Sequence, residues 1–325
     1  MQQITVGIVG ANRITVGPTV VASEMGCFRE EGLDVKLLEV GGRRESIPKL
    51  MTGELDVCLA GPTVAHFYRI WRSDAPIALV ADQGSLQPGH SSHALVARTE
   101  LLEGGMLESY ADLRGKKLGM SPERGDHDWL DFAAALRRGG LTYDDVEVVT
   151  VGYGEDRHHA LADGTIDLTT MGRQINLVQG RETGTFDVWK FDHEVTPGRL
   201  VRAVMFSHRF REERPEEAGR YVRGYLRGAR AYHDAVEHGI NREEVVSLFA
   251  GPGDISGTEH NLVGVNPDGL INTEALQDEV RWLRDEGFLA QPIPLEQIVV
   301  HSYVEDALSD LGRYSAPEVG GGGGS

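Results

Sequence analysis

The sequence predicts an α/β protein of two lobes, each a mostly parallel sheet flanked by helices, followed by a helical C-terminal segment. Three observations carry that expectation. Ile4–Leu38 reads as strand, Gly-rich loop, apolar helix and strand, which is a right-handed βαβ unit. Short apolar runs then alternate with helical periods as far as Phe206. The same alternation restarts after His93–Arg98, so the chain crosses between lobes twice, near residues 95 and 203. Lobe I is therefore expected at 1–95 plus 204–319, lobe II at 96–203, with a two-strand hinge and a cleft between them.

In order along the chain, Ile4–Val9 is a strand, Gly10–Gly17 a loop, Pro18–Met25 a helix and Asp34–Leu38 a strand. Gly41-Gly42-Arg43-Arg44 opens a helix through Ile47, Leu50 and Met51, and Leu55–Ala60 is a buried strand. Gly61-Pro62-Thr63 starts another helix with Val64, Phe67, Tyr68 and Trp71 on one face, before the strand Pro76–Asp82. In the second lobe the strands are Lys117–Met120, Val146–Val151, Ile166–Met171 and Phe186–Phe191. Its helices are Asp126–Arg138, Asp156–Asp163 and Gln174–Gln179. After the strand Leu200–Phe206 come helices at Pro215–Glu237, Arg242–Phe249, Thr273–Arg284 and Tyr303–Leu311. The terminal run GGGGGS, 320–325, reads as an appended flexible linker.

Composition narrows the partners. Hydrophobic content of 40% and charged content of 25% are those of an ordinary globular chain. A formal net charge of -18 argues against nucleic acid or an anionic membrane, which select a basic face. It leaves room for an anionic small molecule, since a local arginine overrides a distant field. Cys27 and Cys58 make neither a disulfide framework nor a zinc site. His158-His159 lacks further ligands at metal-binding spacing, so neither metal nor cofactor is expected. No apolar run is long enough to span a bilayer. No export signal precedes the first strand, which points to a cytoplasmic monomer, or to an extracytoplasmic one whose signal has been removed.

Five blocks then carry a resemblance: MGCFREEGLDVKLLEV, KLMTGELDVCLAGPTVAHF, YADLRGKKLGM, AALRRGGLTYDDVEVV and HHALADGTIDLTTM. With QPIPLEQIVVHSYVEDAL near the end, they resemble the aliphatic sulfonate, nitrate, taurine and pyrimidine-precursor (THI5-like) solute-binding proteins. The resemblance covers most of residues 4–311 and implies a type II periplasmic-binding-protein fold. It also implies capture of a small molecule by lobe closure and delivery to an ABC permease. The same fold carries enzymes, so a cofactor-free lyase or hydrolase acting on a small aromatic or heterocyclic acid is the alternative. His66 and His127 are its candidate catalytic groups. The cysteine nucleophile of the desulfinases does not carry over to Cys27, which falls at the wrong end of its helix.

Ligands of open α/β sheets sit beyond the carboxyl ends of the strands. That rule selects Asn12, Arg13, Arg43, Gly61, Pro62, Thr63 and Gln83 in the first lobe. In the second it selects Arg124, Gly125, Asp126, Tyr153 and Arg173. The arginines suit a carboxylate or sulfonate, helix N-termini add unpaired N–H groups, and Tyr153 offers a stacking face. Gly10-Ala11-Asn12-Arg13-Ile14 lacks GxGxxG spacing, which excludes a dinucleotide cradle. Asp126 reads as the N-cap of its helix and Asp128 as a first-turn acid complementing the dipole.

Overall fold

A computed structural model describes residues 1–9, 13–41, 43–62, 77–172, 174–250, 262–289 and 293–317. Ten strands run through the described residues in chain order. They are β1 (Gln2–Val9), β2 (Leu33–Val40), β3 (Val57–Ala60), β4 (Ala78–Ser85), β5 (His93–Arg98), β6 (Lys117–Met120), β7 (Glu147–Thr150), β8 (Leu168–Gly172), β9 (Phe186–Phe191) and β10 (Leu200–Phe206). They form two five-stranded sheets, ordered β2-β1-β3-β10-β4 and β7-β6-β8-β5-β9. In the first, β1 is parallel to β2 and β3, and β10 is antiparallel to β3 and β4. The second repeats the plan, with β6 parallel to β7 and β8 and β5 antiparallel to β8 and β9. Four strands of each sheet thus share one direction, and one reversed strand is wedged among them.

The chain divides into two compact units. One holds Met1–Ser85, Leu200–Thr273 and the residues from Ile293 onward; the other holds Leu86–Arg199 and Glu274–Pro292. Residues 274–292, expected in the first lobe, group with the second unit. The helix Thr273–Asp285 buries Leu276, Val280, Trp282 and Leu283 along one stripe and shares a cavity with the helix His127–Arg138.

The first unit is centred on the helix Pro215–Glu237, which buries Ala218, Tyr221, Val222, Tyr225, Leu226, Ala229 and Tyr232 at helical spacing. Gly224 and Gly228 let it approach the N-terminal helices closely. A Cβ on Gly224 would lie 2.8 Å from the Phe28 ring, and one on Gly228 would collide with Ala22. In the second unit Trp129, Phe132, Ala133 and Leu136 form the buried stripe of the helix His127–Arg138. Ala94, Val96, Leu161, Ile166 and Phe186 make a further cluster against the sheet.

The helix expected from Gly61-Pro62-Thr63 through Trp71 lies outside the described residues; among these, strand and helix positions follow the sequence periodicity closely, with one informative departure. Asp82, expected to end the strand, and Gln83, expected in the loop beyond it, lie inside β4 and are buried. The Asp82 carboxylate accepts from Gly84 N (2.8 Å), Ser85 Oγ (2.9 Å) and Asn266 N (2.8 Å), and the Tyr225 hydroxyl donates to its carbonyl. With these partners supplied from the interior, an acidic residue stays inside β4, at the edge of the first sheet, instead of ending it. Burial pushes the Asp82 carboxyl up to about 7 against the pull of those donors.

Candidate functional site

In the second unit, the carboxyl ends of β6, β7 and β8 bring Ser121–His127, Gly152–Tyr153 and Gly172 to one edge of the sheet. Because β5 runs the other way, its first residue, His93, pairs with Gly172 at that same edge. Glycine at 172 leaves room for the His93 ring, which would lie 3.1 Å from an added Cβ.

The foundation of this edge is a buried ion pair. Asp128 in the first turn of the helix is fully buried, and its Oδ2 lies 2.6 Å from Nη2 of Arg157, which is 2% exposed. The other lone pairs and protons are nearly all used. Asp128 accepts from Ser121 N (2.7 Å), Ser121 Oγ (2.9 Å) and its neighbour Trp129 N (2.9 Å). Arg157 donates to Thr170 O and Thr170 Oγ1 (both 2.8 Å) and to Gly152 O (3.1 Å). A single pair therefore ties the segments that leave β6 and β7 to Thr170 inside β8. This saturation is what a buried pair needs to offset its desolvation.

Above it stands a wall of rings. Tyr153, 52% exposed, lies over the Arg157 guanidinium at 4.6 Å and donates its hydroxyl to Asp126 Oδ2 at 2.6 Å. His127 stacks on His93, centroids 4.0 Å apart, and faces Tyr153 at 6.3 Å. Burial, then the neighbouring His127, holds the His93 imidazole well below its usual pKa, so it is neutral at pH 7. Burial and its acceptor Asp126 raise the Tyr153 phenol, which keeps its proton. Arg124 sits over the Trp129 ring at 5.1 Å, and Gly125, at φ +91°, turns the chain into the helix. The wall offers stacking faces, the neutral imidazole of His93, one carboxylate and one cation.

In the first unit Gly61 and Pro62 follow β3 directly. A Cβ at Gly61 would stand 2.7 Å from the Val201 carbonyl, so glycine there is a packing requirement of the β3–β10 pair. Gln83 is buried and accepts from Thr19 Oγ1 at 2.6 Å, while its Nε2 has no hydrogen-bond partner among the described residues. The half-exposed Arg13 guanidinium pairs with Glu24 at 2.5 Å and donates to the Leu248 carbonyl at 3.3 Å. Asn12, Thr63, His66, Arg173 and the Arg43 side chain lie outside the described residues.

Asp126 does occupy the N-cap position, but its side chain makes no capping bond and goes to Tyr153 instead. Asp128 does lie in the first turn, where it is a fully buried counter-ion to Arg157. Arg157 and His93 were missed from the sequence. Arg157 sits in a polar helix, EDRHHALA, that reads as solvated. The available signal was its position in the first turn after a strand-to-helix loop, matching that of Asp128.

Cys27 is buried against the helix Pro215–Glu237, where Arg227 donates to its carbonyl, and burial raises its thiol. That environment disfavours a thiolate. Among the described residues, no group of three His, Cys, Asp or Glu is arranged to hold a metal ion. None of the described helices is long and apolar enough to cross a membrane.

The family model NMT1/THI5-like matches residues 14–238. A search of curated proteins found no match. Among solved structures, the chain is similar to the periplasmic sulfonate-binding protein SsuA from Methylobacillus flagellatus KT, with 18% identity, 98% of this chain and 99% of that one covered, and a TM-score of 0.74. It is similar to the periplasmic nitrate-binding protein NrtA from Synechocystis PCC 6803, with 13% identity, 96% and 89% covered, and a TM-score of 0.67. It is also similar to the desulfurization enzyme DszB, with 16% identity, 96% and 100% covered, and a TM-score of 0.63. At such identities the likeness is one of fold.

Proposed function

Since the chain belongs to the NMT1/THI5-like family, we propose that it is a solute-binding protein that captures a small polar organic molecule and delivers it to an ABC importer. The ligand class is a carboxylate, a sulfonate or a nitrogen heterocycle. The observation that carries this reading is the ring wall at the carboxyl edge of the second sheet, seated on a saturated buried ion pair. Such a foundation holds binding groups still, which lowers the cost of ordering them around a ligand. Tyr153 and His127 would stack on a planar ligand, Asp126 would accept from its donors, and Arg124 would meet an anionic group. Gln83, whose Nε2 is a buried donor without a partner among the described residues, is a further candidate contact, as are Gly61, Pro62 and Thr63 by their place in the sequence. Asn12, Arg43 and Arg173 remain candidate contacts by their place in the sequence. Service to an importer places the protein outside the cytoplasmic membrane, as in the periplasmic relatives it resembles.

The test is a thermal-shift screen over sulfonates, aromatic carboxylates and nitrogen heterocycles, followed by calorimetry and product analysis on each hit. Binding that leaves the ligand chemically unchanged is the expected result. Conversion of a bound compound would overturn the transport reading in favour of an enzyme on this fold. Gln83→Leu removes the orphaned donor and is expected to weaken the best hit roughly tenfold, about one hydrogen bond's worth.

A further inference from the structure

The second unit contains another cavity, of about 440 Å³, between the helices His127–Arg138 and Thr273–Asp285 and the segment 195–199. That volume suits a small organic molecule better than a bare ion. Leu130, Ala134, Val195 and Pro197 give it apolar walls, and Arg199 and Glu279 supply its buried polar groups.

The charges in that interior do not balance. Arg199 lies 3.1 Å from Asp131 and 4.0 Å from Asp192, both fully buried, so its one positive charge already faces two carboxylates. Glu279 adds a third. It is 7% exposed, lines the cavity and has no hydrogen-bond partner among the described residues. Burial, only partly opposed by Arg199, pushes the Glu279 carboxyl up to about 7, and Asp131 is raised to the same level. The remaining charged lining lies at the rim. Asp278 is held by Arg281 at 2.9 Å, Arg138 lies over the Tyr110 ring at 5.6 Å, and Arg137 is exposed.

We propose that this cavity is a second ligand site, taking a small organic cation whose ammonium or guanidinium group pairs with Glu279 and whose apolar stem lies along Leu130, Ala134 and Val195. A bound cation supplies the positive charge that Glu279 lacks and donates to its open lone pairs, while the apolar stem displaces water from the walls. The site is separate from the ring wall and requires no residue of it.

Calorimetry with phenethylammonium, and with phenylacetate as its anionic counterpart, tests the proposal on the full chain. Phenethylammonium is expected to bind with one-to-one stoichiometry, and phenylacetate at least tenfold more weakly. Glu279→Gln, which keeps the shape and removes the charge, is expected to weaken the amine at least tenfold. Ala134→Trp, which fills the cavity from its half-exposed wall, is expected to abolish binding. The proposal is overturned if the wild type does not bind the amine, if phenylacetate binds as well, or if both variants bind the amine like the wild type.

Discussion

Arg157→Met is the substitution that most directly probes the foundation of the ring wall. It keeps a long apolar stem but removes four donations: to Asp128, to Thr170 O, to Thr170 Oγ1 and to the Gly152 carbonyl. The dominant loss is electrostatic, because Asp128 is left fully buried without its counter-ion. Breaking one partner of such a pair costs about 3–5 kcal/mol. Asp128 keeps three donors of its own, from Ser121 N, Ser121 Oγ and Trp129 N, which places the expected loss near the lower end, ~3 kcal/mol. Urea unfolding followed by tryptophan fluorescence is the assay, because Trp129 belongs to the network through its Nε1 bond to the Ser121 carbonyl at 3.1 Å. Asp128→Asn combined with Arg157→Met removes the stranded charge and should recover part of the loss, a coupling that a double-mutant cycle measures. A loss below about 1 kcal/mol for Arg157→Met, with no coupling to Asp128, would refute the reasoning, since exposed pairs behave that way.

Further consequences can be checked separately. Tyr153→Ala removes the exposed stacking face and should weaken a planar ligand about tenfold in calorimetry, whereas Tyr153→Phe, which keeps the ring and loses the hydroxyl's bond to Asp126, should cost less. Gly61→Ala should destabilise by about 1–3 kcal/mol in urea unfolding, because its Cβ would stand 2.7 Å from the backbone carbonyl of Val201, which has no flexible end to yield. Glu279 carries a pH signature. Its folded pKa is about 7, raised from an ordinary 4.5, so its contribution to stability is fully present below pH 4.5 and is lost as pH rises through 7. Glu279→Gln cannot titrate, and the urea midpoint should fall less between pH 5 and 8, corresponding to ~1–2 kcal/mol after the share held by Arg199 and Asp131.

The helix His127–Arg138 could be read from the sequence because Trp129, Phe132, Ala133 and Leu136 recur on one face and Gly139 follows the last turn. The βαβ opening and the two reversals of lobe were legible for the same reason, since side-chain period and turn chemistry are properties of neighbouring residues. The edge that carries the ring wall was also legible, because ligands gather where parallel strands end. Asp126, Tyr153, Arg124 and His127 all lie on that edge.

The partners within that edge were another matter. Asp126 next to a helix start reads as a cap, and only the Tyr153 bond, 27 residues away, shows where its carboxylate goes. Gln83 read as a loop residue because nothing local announces that Asn266, 184 residues from Asp82, will hold that acid inside β4.

The sequence by itself therefore determined the α/β alternation, the two lobes and the sheet edge on which Arg124, Asp126, His127 and Tyr153 fall. Tertiary structure alone decided that Arg157 is a buried support, that His93 joins the wall, that 274–292 belongs with the second unit, and that Glu279 faces a cavity. The physical reason is that the energy of a buried charge depends on what surrounds it in space. That neighbourhood is set by the strand order β7-β6-β8-β5-β9, which brings together segments the chain keeps far apart.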